Sequence, residues 1–64
     1  MDHQTINEML DQLKNGERME FQVSKEDFLP VREVLVKRED FKHFRGIARH
    51  GGNTVYRYIA TARS

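Results

Sequence analysis

The chain has no cysteine and no tryptophan, only one proline (Pro30), and no Asp or Glu after Asp40. Without cysteine there is no disulfide to staple a small fold, no thiolate nucleophile and no cysteine-based zinc site. Such a composition suits a reducing, cytoplasmic setting. No apolar run approaches the ~20 residues of a membrane span. The opening Met1-Asp2-His3-Gln4 is too acidic and polar for a secretory signal. Serine occurs only as Ser24 and Ser64, which removes a serine nucleophile from any plausible site. The paired glycines Gly51-Gly52 stand alone and precede no helix, so they do not form a phosphate-binding loop. His3, His43 and His50 fall on different segments without zinc spacing. No catalytic, cofactor or metal site is expected, and the chain reads as non-enzymatic.

A third of the 64 residues are charged, and the net +1 conceals a segregation. Met1 to Asp40 sums to −4, whereas Phe41 to Ser64 sums to +5 through Lys42, Arg45, Arg49, Arg57 and Arg63. Sign asymmetry of this kind points to a polyanionic or acidic partner for the basic part.

The apolar residues are periodic, as in a folded domain. The expected arrangement is a single domain over 1–64 with residues 1–4 as a flexible tail. A chain this short buries only ~60% of the surface exposed on unfolding, so a partner or a second copy, as in a homodimer, would help it. Ile6, Met9, Leu10 and Leu13 form a helical stripe over Thr5–Asn15. Thr5 and Glu8 are spaced as a capping box, and Gly16 is placed for a left-handed cap. Met19, Phe21 and Val23 alternate with polar neighbours as a strand over Arg18–Val23. Ser24 to Leu29 reads as a short helical turn. Pro30 would then open a longer helix to about Phe44, carrying Val31, Val34, Leu35, Phe41 and Phe44 inward. The β-branched run Val34-Leu35-Val36 also suits a strand, which leaves the helicity of 31–44 open. Gly46 ends that helix. Ile47–His50 and Thr54–Thr61 follow as a hairpin about Gly51-Gly52-Asn53. A two-residue loop pairs His50 with Asn53, Arg49 with Thr54 and Ile47 with Tyr56; a three-residue loop shifts this register.

The class is therefore α+β, in the order α-β-α(-α)-β-β, with two helical segments on a three-stranded antiparallel sheet. This resembles the element order of a winged helix-turn-helix domain whose wing is the C-terminal β-hairpin. The alternative is a plain two-helix α+β domain, because the short helix lacks the small residue and glycine of a helix-turn-helix turn.

The candidate contact residues are Lys42, Arg45, Arg49, His50, Asn53 and Arg57. Guanidinium groups bind phosphates and carboxylates bidentately, and a β-ribbon fits a DNA groove. Tyr56 and Tyr58 interleave with the arginines and would stack on single-stranded bases if exposed. A second basic surface, Arg32, Lys37, Arg38 and Lys42 on the longer helix, is interrupted by Glu33, Glu39 and Asp40 and reads as a solvated face. Asp2, Glu8, Asp11, Glu17 and Glu20 form an acidic counterpart that would dock on a basic protein or on the basic end of another copy. Two functions follow from this pattern. One is a DNA-binding transcription regulator of prokaryotic or phage type, working through the hairpin. The other is a protein-binding inhibitor or adaptor that uses its charged faces or a sheet edge.

Overall fold

The computed structural model describes residues 1–61; Arg63 lies outside the described residues. Helix α1 (His3–Lys14) buries Ile6, Leu10 and Leu13, with Met9 packed beside them. It begins ahead of the Thr5 capping pattern. Asp2 is the N-cap, and its Oδ1 accepts from the Thr5 amide at 2.7 Å. That bond holds the Asp2 carboxyl below its ordinary pKa. His3 and Gln4, read above as tail, therefore form the first helical turn. At the other end Gly16 adopts φ 78. The Glu17 amide returns to the Gln12 carbonyl at 2.9 Å and the Gly16 amide to the Leu13 carbonyl at 3.3 Å, a Schellman cap.

The turn extends further than alternation implies. Arg18 also donates its amide to the Gln12 carbonyl at 3.2 Å, so pairing starts only with β1 (Phe21–Val23). Met19, expected inside, is 83% exposed. Next, Lys25–Asp27 makes a 3-10 turn that runs directly into α2 (Phe28–Val36). Pro30 sits in the first turn of α2, where an amide hydrogen would lack an intrahelical acceptor. The short turn and the helix after it are thus one continuous segment, and no helix-turn-helix pair is formed among the described residues.

The expected helix from Pro30 to Phe44 is half as long as drawn. Its buried stripe, Val31, Val34 and Leu35, is real, but α2 stops at Val36. Beyond it, Arg38 Nε donates to Asp40 Oδ1 at 2.9 Å. Side chains two apart do not face each other on an α-helix, so this bond requires a broken helix. The same guanidinium reaches Asn7 Oδ1 at 2.9 Å and Asp11 Oδ1 at 2.7 Å on α1, and lies 5.6 Å from the centre of the Phe44 ring. A 3-10 turn, Phe41–His43, follows, and Phe44 starts a strand instead of ending a helix.

The sheet comprises β1, β2 (Phe44–Ala48) and β3 (Thr54–Tyr58) in the antiparallel order β1-β3-β2. This is the pairing the sequence reading placed beside the hairpin. Phe21, Val23, Phe44 and Tyr56 turn to one face and join the helix residues in a single core. The fold is therefore a small α+β unit with two helices on a three-stranded antiparallel sheet.

The pairing of Asp40 with Arg38 pulls the Asp40 carboxyl below the usual carboxylate range and raises the guanidinium pKa. A depressed folded pKa contributes stability above the unfolded value that disappears as pH falls through the folded one. Replacing Arg38 by Ala should cost about 2 kcal/mol in urea unfolding at neutral pH. Asp40→Asn should lessen the loss of stability below about pH 4 relative to the unmodified chain. An identical pH dependence in both proteins would show that this pair carries no acid sensitivity.

Candidate functional site

Register decides where the basic residues go. Ala48 pairs with Thr54, Gly46 with Tyr56 and Arg45 with Arg57, one step away from the two-residue-loop register. The loop is longer because His50–Gly52 forms its own tight turn with Gly51 at φ 74 and Gly52 at φ 82. A side chain at Gly52 would also press on Lys25, 3.1 Å from its Cδ.

In this register Arg45 and Arg57 are direct neighbours on the sheet face that carries no helix. Between them and the hairpin tip lies a row, Gln22, Val55 and Ile47, paired across the three strands and apolar at Val55 and Ile47. These flanking side chains explain why Val55 is only 6% exposed on the outer face. Arg49 continues the alternation past the end of β2 and lines a cleft of about 460 Å³ with Gln22, Ser24, Asn53 and Val55. Its amide donates to the Asn53 carbonyl at 2.8 Å. Thus Arg45, Arg49 and Arg57 share one face, with Asn53 at its end and exposed His50 at the hairpin tip.

The charges differ in availability. Adjacent like charges on a sheet repel, and Glu20 relieves this for Arg57 by accepting from its Nε at 3.0 Å and from Nη2. Among the described residues neither Arg45 nor Arg49 has an ion-pair partner. Lys42 lies in the Phe41–His43 turn, at the other end of β2 from the hairpin tip, so the structure does not bring it to Arg49, His50 and Asn53. The tyrosines correct the stacking expectation. Tyr56 is buried in the core, and Tyr58 is half-buried, stacked on His43 with ring centres 5.1 Å apart. Neither joins the arginine face. Arg38, assigned by spacing to a solvated helix surface, is consumed by its ties to α1 and Asp40.

The sequence reading missed a second feature. β2 is an edge strand. The Ile59 amide donates to the His43 carbonyl at 2.8 Å, and the Arg49 amide to Asn53 at 2.8 Å. Antiparallel alternation then directs the backbone of Arg45 and Ile47 to β3 and that of Gly46 and Ala48 to the open edge. The Gly46 and Ala48 backbone groups therefore point away from β3, and no strand lies on that side of β2 among the described residues. On the helix side of this edge a groove of about 540 Å³ runs between β2 and α2. Gly46 and Ala48 form its floor, with Phe28, Leu35, Val36 and Phe41 as walls and Arg32 as the only charged lining residue among the described residues. A Cβ at Gly46 would lie 3.1 Å from Tyr56 Cε1, so a larger residue there requires the Tyr56 ring to give by a few tenths of an ångström. Burial raises the Tyr56 hydroxyl pKa, and nearby Arg32 partly offsets it. The available signal was the alternation Phe44, Gly46, Ala48, small residues on the core side of a strand.

Among the described residues no group of three or more His, Asp or Glu could hold a metal. No helix among the described residues is long and apolar enough to cross a membrane.

Residues 3–57, from the first residue of α1 to Arg57 on β3, match the family described as YkzS-like protein, and the chain belongs to that family. No curated protein and no solved structure matches it.

Amide hydrogen exchange tests the open edge directly. Gly46 and Ala48 should exchange rapidly in dilute protein, whereas Ile47 and Val55, bonded between β2 and β3, should be protected. Protection at Gly46 and Ala48 in the isolated chain would mean that something already covers β2.

Proposed function

We propose that this member of the YkzS-like protein family is a small, non-enzymatic cytoplasmic modulator that docks on a larger protein. Its contact is the open edge of β2 with the groove beside it. The observation that carries this reading is the coincidence of edge-facing Gly46 and Ala48 backbone groups with a groove walled by Phe28, Leu35, Val36 and Phe41 on the same strand. Strand addition draws affinity from main-chain bonds and selectivity from pockets for alternate side chains, and β2 offers both. Val36, 47% exposed at the groove wall, adds apolar area that nothing in the fold uses.

Two substitutions separate this contact from folding. Ala48→Pro deletes an edge-facing donor, a position where strands tolerate proline. Val36→Glu puts a charge in the groove from an exposed site. Both variants should keep the far-ultraviolet circular dichroism of the parent. Each should lose at least about tenfold in capture of a nuclease-resistant partner, the cost of one main-chain bond or a buried charge. Full retention of the partner by both variants would remove the edge from the reading.

A second reading has its own support. Arg45 and Arg49 project from one helix-free face without an ion-pair partner among the described residues, which suits the phosphate backbone of nucleic acid. Contact of this sort would be with phosphates, since the tyrosines that would stack on bases lie on the other face. Anisotropy of a labelled duplex at low salt tests it. Binding should weaken steeply with salt and fall when Arg45 and Arg49 are both replaced by Ala. No binding at low salt would retire the nucleic-acid reading.

A further inference from the structure

The two faces of β2 differ in chemistry, and a strand added at its edge would meet both. Residues of such a strand opposite Gly46 and Ala48 would direct their side chains into the groove, where the floor is small and the walls are apolar. Residues opposite Arg45 and Arg49 would direct theirs to the outer face, within reach of two guanidinium groups that lack carboxylate partners among the described residues. The residue opposite Ile47 would join the apolar row with Val55. Arg32 at the groove rim adds a third cation, and among the described residues no carboxylate lines the groove.

We propose that the β2 edge receives an extended segment of a partner protein with the pattern acidic–apolar–apolar–apolar–acidic, its carboxylates on Arg45 and Arg49 and its flanking apolar side chains in the groove. The inference rests on the edge reading above and specifies its occupant. Charge selects this occupant over another copy of the chain. Two β2 strands paired antiparallel through Gly46 and Ala48 bring Arg45 of one copy opposite Arg49 of the other, or diagonal to the other copy's Arg45. Like charges at those positions oppose pairing. Carboxylates there form charge-assisted, bidentate pairs.

A capped peptide containing Glu-Leu-Val-Leu-Glu between Gly-Ser flanks, and its Lys-Leu-Val-Leu-Lys counterpart, test the proposal on the intact chain. The glutamate peptide should bind at least about tenfold more tightly than the lysine peptide, since like-charge juxtaposition is strongly disfavoured. Its binding should slow amide exchange at Gly46 and Ala48. The combined variant Arg45→Glu with Arg49→Glu, both exposed positions, should reverse the preference. Equal affinity for the two peptides with protection at Gly46 and Ala48 would overturn the charge pattern and leave the edge as a docking site. Binding without a change at those amides would overturn strand addition itself. Failure of both peptides to bind would overturn this occupant, with the Val36 and Ala48 variants then judging the edge separately. Concentration-dependent protection of the same amides without peptide would assign the edge to a second copy.

Discussion

Arg38 holds the two halves of the molecule in register. Its guanidinium engages Asn7 and Asp11 on the first helix and Asp40 in its own turn, and covers the Phe44 ring. Arg38 is 15% exposed and Asp40 16%, so the charges lose part of their hydration and depend on one another. The consequence is topological. With the fork to Asp40 in place the chain cannot continue as helix after Val36. It reverses through two short turns and enters the sheet at Phe44. The start of β2, and thus the parity of every later side chain, follows from where that helix stops.

Parity then separates the chemistry of the C-terminal strands. Even-numbered positions of β2 and β3 face the helices, and odd-numbered positions face away. Phe44 and Tyr56 complete the core, while Arg45, Arg49 and Arg57 gather on the opposite side. On β2 the even positions after Phe44 are Gly46 and Ala48, too small to reach α2. The helix is also short, nine residues, and leaves the inner side of the edge strand partly uncovered. The groove is thus the joint product of a truncated helix and two small residues. Neither alone would leave apolar walls beside edge-facing backbone groups.

Much of this was legible beforehand, and the remainder has identifiable causes. Helix α1, its glycine cap, the hairpin and the α+β class were readable because each has a local signal: a period, a left-handed glycine, a turn dipeptide. The helical misreading of 37–44 arose where local and tertiary signals compete. Val34-Leu35-Val36 and the charged run after it fit a helix locally, but Arg38 finds partners 31 and 27 residues away on α1. A contact at that sequence separation leaves no mark in a periodicity count. The register was a different case, since the sequence left a two-residue and a three-residue loop both open. Gly51-Gly52 allowed a minimal turn, and the chain instead folded His50 into it, shifting the pairing by one. Because strand side chains alternate, that single step sent Tyr56 to the core and Arg45 to the surface. Candidate residues Arg45, Arg49, His50, Asn53 and Arg57 still fall on one side or tip of the hairpin. Lys42 does not join them.

An unprotected edge strand is ordinarily a hazard, and proteins blunt such edges with charge, proline or covering elements. Here β2 has no proline, no element covers its edge among the described residues, and its protection is electrostatic. Arg45 and Arg49 point to the outer face and repel a like strand, while the inner face stays apolar and open. Protection by charge is selective in a way that a proline or a covering loop is not. It discourages self-pairing yet imposes no penalty on a strand of opposite sign. Arg57 shows the same logic inside the molecule. Glu20, beside β1, has already supplied the anion that a crowded arginine face requires. The neighbouring positions Arg45 and Arg49 present the same demand to whatever approaches the edge.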